Sequence, residues 1–209
     1  MALLLAAVAA PAAYGAVAAT EAAPRARAIA AIPLANAGFE SALPGKLGAP
    51  EGWWAVQHAG PESYRFTLDA SAKYSGERSL RIDNVGPEPF GTLYQAIDAT
   101  PYRGRVVRFA AWIRTQDALG NRFGTGAGLH LQTQRRGFPR DTAAMRKNAV
   151  RGTTDWARHE LVLAVAQDAD RIEVGLNLFG PGTAWIDDAT LEVVEPAAVP
   201  AAPAAAPAP

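Results

Sequence analysis

Six side chains in this sequence have the chemical types and spacing to hold a polar ligand. In "RVVRFAAWIRT", Val107, Phe109, Ala111 and Ile113 fall on one side, while Arg108, Trp112 and Arg114 fall on the other. In "GLHLQTQ", Leu129 and Leu131 oppose His130, Gln132 and Gln134. In "RIEVGLNLF", Ile172, Val174, Leu176 and Leu178 oppose Glu173, Asn177 and Phe179. Strict period-two alternation is the pattern of a half-buried β-strand. If the three polar sides share one concave sheet, Arg108, Trp112, His130, Gln132, Glu173 and Asn177 set amide, guanidinium and carboxylate groups beside a flat ring. That mixture suits sugars, whose hydroxyls need donors and acceptors and whose C–H faces pack on aromatics. The plain alternative is an ordinary solvated sheet face, with Trp112 half-covered by a loop.

Catalytic chemistry finds less support. The three histidines, His58, His130 and His159, fit no H-E-x-x-H spacing, and no G-x-S-x-G occurs. His159 shares parity with Leu161 and Leu163, which makes it a core or edge residue. Glycosidases need two carboxyls facing one cleft, and Glu173 is the acid the alternation places there. A lyase acting on a uronate is the enzymatic alternative, with Arg108 holding the carboxylate and His130 acting as base. A structural or protein-interaction domain that binds no sugar is the third class.

The elements that must position these groups are strands. "SYRFTLDA", "SLRIDNV", "GTLYQAID", "RVVRFAAWIRT", "GLHLQTQ", "WARHELVLAV", "RIEVGLNLF" and "TAWIDDATLEVV" recur between turn-forming clusters without helical periodicity. Short strands separated by turns predict an all-β antiparallel sandwich or barrel. The gap from Arg135 to Thr154 reads as a substantial loop. It carries Arg135, Arg136, Arg140, Arg146, Lys147 and Arg151 against the acid Asp141, in a chain whose 20 basic and 20 acidic residues cancel. Arginine forks suit carboxylate or sulfate, so the basic loop tilts the expected ligand toward an acidic or mixed-charge glycan. Zero net charge argues against general nucleic-acid binding. The absence of cysteine excludes disulfides, thiolate nucleophiles and a cysteine-linked lipid anchor.

The 209-residue chain divides by composition. Residues 1–19 read as a secretory signal, with an apolar run from Leu3 to Ala10 and Ala16-Val17-Ala18 as a cleavage pattern. No basic residue precedes that run, so an uncleaved anchor is the alternative, though Pro11 and Gly15 interrupt it as a span. The expectation is a periplasmic or secreted protein with no stable membrane span after cleavage. Residues 20–33 read as a flexible linker, 34–195 as the folded body and 196–209 as a disordered Pro/Ala tail.

The body resembles carbohydrate-binding modules of the family 4/9/22 type. "NAGFE" followed by "GWW", "AKYSGERSLRI", "GTLYQAIDATPYRGRVVRFAAWIRT" and the closing "GTAWIDDATLEVV" carry that resemblance in order and spacing. It implies a two-sheet antiparallel β-sandwich, a galactose-binding-like jelly roll, recognising a poly- or oligosaccharide without catalysis. By position it also implies ligand roles for Arg108, Gln95, and the pair Glu173 and Asn177. Glu173 departs from the family's glutamine by replacing an amide with an acceptor-only group. Gln95 shares parity with Leu93 and Ile97, so a satisfied core polar group is the other reading. Of Trp53 and Trp54, one belongs to the core and the other to the rim of the cleft. Trp156 and Trp185 read as core or edge packing. The resemblance further implies a structural calcium held by backbone at Gly38 and Gly76 and by the side chains of Glu40 and Asp187, with Asp188 as the competing ligand.

Overall fold

The computed structural model describes residues 26–43, 50–145 and 148–195. The strands are β1 (Ala28–Ile32), β2 (Trp54–Gln57), β3 (Tyr64–Asp69), β4 (Ser79–Asn84), β5 (Phe90–Asp98), β6 (Val106–Ala118), β7 (Gly126–Arg135), β8 (Phe138–Ala144), β9 (Gly152–Ala164), β10 (Arg171–Phe179) and β11 (Thr183–Val194). They form two sheets of antiparallel neighbours, stacked as a jelly-roll sandwich. One runs β3-β4-β11-β6-β9, with β1 also on β11, and the other runs β2-β5-β10-β7-β8. We call them the outer-helper sheet and the site sheet.

Each of the eight segments expected from alternation is a strand. Their apolar sides meet between the sheets. Phe109 and Ile113 come from β6, Leu129 and Leu131 from β7, Ile172, Leu176 and Leu178 from β10, and Ile186 from β11, all fully buried. Burying a side chain of this size contributes about 1.5–3 kcal/mol, so this interface fixes which face of each strand turns outward.

Three strands depart from the expectation. β1 falls inside the stretch read as a linker, so the folded body begins near Ala28. Its sequence AIAAI has no polar alternation, and pairing with Leu191–Val194 of β11 is what orders it. β2 contributes Trp54 to the edge of the site sheet. β8 occupies the middle of the expected loop from Arg135 to Thr154, pairing with β7 as a hairpin. Its sequence FPRDTAA carries Pro139, which an edge strand tolerates, and the register slips between Thr133 and Gln134 opposite it. The proposed signal at 1–19, the first part of the linker and the tail at 196–209 lie outside the described residues. Among the described residues, no helix is long and apolar enough to cross a membrane.

Candidate ligand-binding site

The strand register brings four of the expected residues together on the outward face of the site sheet. Glu173 of β10 stands opposite Gln132 of β7, Gly175 opposite His130, and Asn177 opposite Gly128. On the other side of β10, Asn177 faces Thr92, Gly175 faces Tyr94, and Phe179 faces Phe90. Above this face opens a cavity of about 690 Å³, lined by His130, Gln132, Glu173 and Asn177. Its walls come from residues 121–125, between β6 and β7, and from Met145 and Ala149 after β8.

The floor is a chain of polar contacts. Gln132 Nε2 donates to Glu173 Oε1 at 2.7 Å, and Gln134 Nε2 donates to Glu173 Oε2 at 2.9 Å. Thr92 Oγ1 donates to Asn177 Oδ1 at 2.7 Å. His130 is only 6% exposed, yet neither of its buried ring nitrogens has a hydrogen-bond partner. Its Nε2 lies 3.6 Å from Glu173 Oε1, beyond hydrogen-bond range. A methyl group at Gly175 would meet His130 Cε1 at 2.6 Å, so the bare glycine is what lets the imidazole lie across the sheet.

Arg108 and Trp112 do not join this site. β6 belongs to the other sheet, so their outward face looks away from the cavity. Arg108 pairs with Glu192 of β11 through Nη2 at 2.7 Å and donates from Nη1 to Ala26 O at 2.9 Å. Trp112 is stacked beneath Tyr74, with centroids 3.8 Å apart and planes 14° apart, and Trp156 meets Tyr74 edge-on at 6.3 Å. The tryptophan is thus covered by a loop, the plain alternative above. The lyase alternative loses its geometry, because Arg108 and His130 stand on different sheets.

Gln95 turns to the interior, accepting from Ala35 N at 2.8 Å and donating to Ala35 O at 3.0 Å. It is a satisfied core polar group that ties the entry segment to β5. The tryptophan pair divides as well. Trp53 is buried, bonded through Nε1 to Ala35 O at 2.9 Å, whereas Trp54 is 63% exposed and opposite Tyr94. Trp185 is buried on the outer face of its own sheet, with Arg81 and Arg114 each 5.3 Å from its ring centroid. Of the basic residues counted toward an acidic ligand, those that the structure describes do not line the cavity. Arg135 and Arg140 pair with Asp168 at 3.0 and 3.3 Å, and Arg146 and Lys147 lie outside the described residues. Among the described residues, the arginine at the cavity is Arg122, exposed and over the Phe123 ring at 4.7 Å. The cavity-lining Phe90, Thr92 and Arg122, and Tyr94 outside it on the same sheet, escaped the sequence reading. Parity opposite Leu93 marks Thr92 and Tyr94 as outward-facing, whereas nothing local marks Arg122.

The expected calcium ligands converge at a loop junction. A side chain on Gly38 would sit 3.7 Å from Asp188 Oδ1 and 3.9 Å from Glu40 Cγ. Gly76 has φ of 59°, and a methyl group there would overlap Glu40 Oε1. Glu40 accepts from Glu77 N at 3.0 Å, and Asp188 Oδ1 accepts from Ser75 Oγ at 2.9 Å. Buried Asp187 accepts from Tyr74 N at 2.8 Å, Ser75 N at 3.1 Å and Asp188 N at 2.8 Å. Burial pushes the Asp187 carboxyl above the usual range, those N–H groups oppose the rise, and the Asp188 charge adds to it. Carboxylate and backbone oxygens are the donors calcium takes. Among the described residues, however, no three acidic or imidazole groups gather closely enough to hold a metal ion as they stand.

Fold and site together define a jelly-roll domain with a mixed polar and aromatic cavity on one sheet. No protein-family model matches the chain. It is 25% identical over 152 residues to an uncharacterized HTH-type transcriptional regulator, YbfP, of Bacillus subtilis (strain 168). That match covers 68% of this chain and 48% of the regulator, so the chain spans about half the length of the curated relative it matches. Among solved structures, TmCBM61 in complex with β-1,4-galactotriose is similar at a TM-score of 0.50 and 17% identity, covering 76% of this chain and 95% of that one. A cyclase from Fischerella sp. TAU, in complex with an indolyl butanone, is similar at a TM-score of 0.53 and 16% identity, covering 79% and 99%. The fold is shared by carbohydrate-binding modules and by a cyclase, so function has to be argued from the cavity.

Proposed function

We propose that this protein is a non-catalytic glycan-binding domain that seats an oligosaccharide in the cavity on the site sheet. The observation that carries the reading is the floor itself. His130, Gln132, Glu173 and Asn177 converge there with hydrogen-bonding capacity beside the rings of Phe90 and Phe179, and Trp54 and Tyr94 stand outside the cavity on the same sheet face. Sugars need that combination, since each ring presents hydroxyls at its edge and C–H groups on its face. The bound galactotriose of TmCBM61, which has the same fold, supports the ligand class. In this reading the ligand extends from the cavity onto Trp54 and Tyr94 as a platform, and the polar floor selects hydroxyl arrangement.

Export to the periplasm or medium belongs to the proposal and rests on the composition of residues 1–19. So does a calcium ion at the Glu40–Asp187 junction. Its support is that Glu40 lies against Gly76, Asp188 against Gly38 and Asp187 on the backbone of Tyr74 and Ser75, so oxygen donors meet at one junction, short of a formed ligand cluster among the described residues. Such an ion would clamp the loop ends and take no part at the cavity.

A glycan array probed with the full chain tests the binding reading, with Trp54→Ala as the control. Retained glycans that lose the variant support it. An empty array, or reducing ends and unsaturated products released from a polysaccharide panel, would replace it with an interaction domain or an enzyme respectively.

A further inference from the structure

Among the described residues, no lysine or arginine pairs with the carboxyl group on the cavity floor. The Glu173 side chain is 14% exposed, and its bonds come from the neutral amides of Gln132 and Gln134. Each carboxylate oxygen keeps a further lone pair after those bonds. Among the described residues its nearest titratable neighbour is His130 at 3.6 Å. Among the described residues, the other formally charged one lining the cavity, Arg122, is exposed and lies over Phe123. Beside the carboxylate stand two unpartnered ring nitrogens in a side chain nine-tenths buried. Buried polar and charged groups are costly until they are paired.

The missing partner can be deduced from what the floor lacks. A carboxylate accepts only, and a neutral imidazole adds one acceptor nitrogen. A group with several N–H donors and a positive charge can bond the carboxylate and the acceptor nitrogen at once, leaving the imidazole N–H to a ligand oxygen. A ligand hydroxyl could donate to Glu173 but brings no charge, and a carboxylate or sulfate would be repelled. We propose that the cavity selects ligands bearing a primary ammonium group, seated between Glu173 and His130. In the glycan reading, on which this inference rests for the remainder of the ligand, that is an amino sugar with a free amine. Of the basic residues that favoured an acidic glycan, none that the structure describes lines this cavity, and Arg122, which was not among them, stands at its edge.

Calorimetric titration of the full chain with three oligosaccharides of equal length tests it: a β-linked glucosamine oligomer, its N-acetylated counterpart and a uronic-acid oligomer. A charge-assisted hydrogen bond predicts a preference of about tenfold or more for the free amine over the N-acetyl form. In Glu173→Gln that preference should fall below about threefold, and His130→Phe should reduce it as well, with thermal melts confirming that both variants fold. Equal or tighter binding of the N-acetyl or uronic-acid oligomer by the unmodified chain overturns the ammonium assignment and leaves the glycan reading standing. A preference that survives Glu173→Gln overturns it too. Failure of all three, with the glycan array also empty, removes both.

Discussion

Replacing Trp112 by alanine should cost stability and leave ligand affinity alone. The ring is half-buried on the sheet opposite the cavity, beneath Tyr74 at 3.8 Å, in nearly parallel stacking. A fully buried Trp→Ala change costs about 3–5 kcal/mol. Trp112 keeps part of its surface in water, so roughly half of that applies, about 1.5–2.5 kcal/mol, of which the stack supplies about 0.5–1.5 kcal/mol. For a chain of this size, each kcal/mol lowers the melting temperature by about 2–4 °C, giving a fall of roughly 3–10 °C. Urea unfolding of Trp112→Ala, Tyr74→Ala and the double variant isolates the stack as a coupling energy. Oligosaccharide titration of the same proteins should move less than about twofold, because no cavity residue touches the pair. An unchanged melt with a tenfold loss of affinity would refute the reasoning and put the ring back on the ligand.

The converse substitution, Trp54→Ala, should weaken oligosaccharide binding by about tenfold or more while unfolding shifts by less than about 0.5 kcal/mol, since the ring is 63% exposed; a melt lowered by several degrees would make it a packing residue. Gly175→Ala should destabilise by about 1–3 kcal/mol through forced contact with the β5 backbone and His130, read by urea midpoint. Burial holds the His159 imidazole below its ordinary value. The unfolded chain therefore takes up that proton first, and stability should fall as pH drops below about 6.5. Urea midpoints at several pH values should show a flatter slope in His159→Leu, and an unaltered slope rejects the assignment. For the calcium proposal, metal at a hundred times its dissociation constant adds about 2.7 kcal/mol. A chelator should then lower the melting temperature by several degrees, and an unchanged melt with no metal in the purified protein removes the ion.

The strand faces were legible because burial follows alternation, and Leu129, Leu131, Ile172 and Leu176 point inward as their parity requires. Sheet membership was not. Both sheets of a sandwich have the same period, so Arg108 and Trp112 looked identical in kind to His130 and Glu173 until pairing put β6 beside β11 and β7 beside β10. Gln95 shows the complementary lesson: its parity placed it inside, and the bonds to Ala35 confirm that parity over positional likeness. β8 was hidden because an exposed edge strand needs no apolar side, and β1 because its pairing partner lies at the far end of the chain. The cavity walls come from loops at 121–125 and near Met145, whose approach to the sheet depends on long-range packing.

Side-chain and backbone NMR shift mapping during oligosaccharide titration tests the central claim most directly. A saturable ligand should perturb His130, Gln132, Glu173, Asn177 and the Trp54 indole, and leave the Trp112 indole and Arg108 unmoved. Perturbations centred instead on Tyr74, Trp112 and Arg108 would place recognition on the opposite sheet and contradict the account.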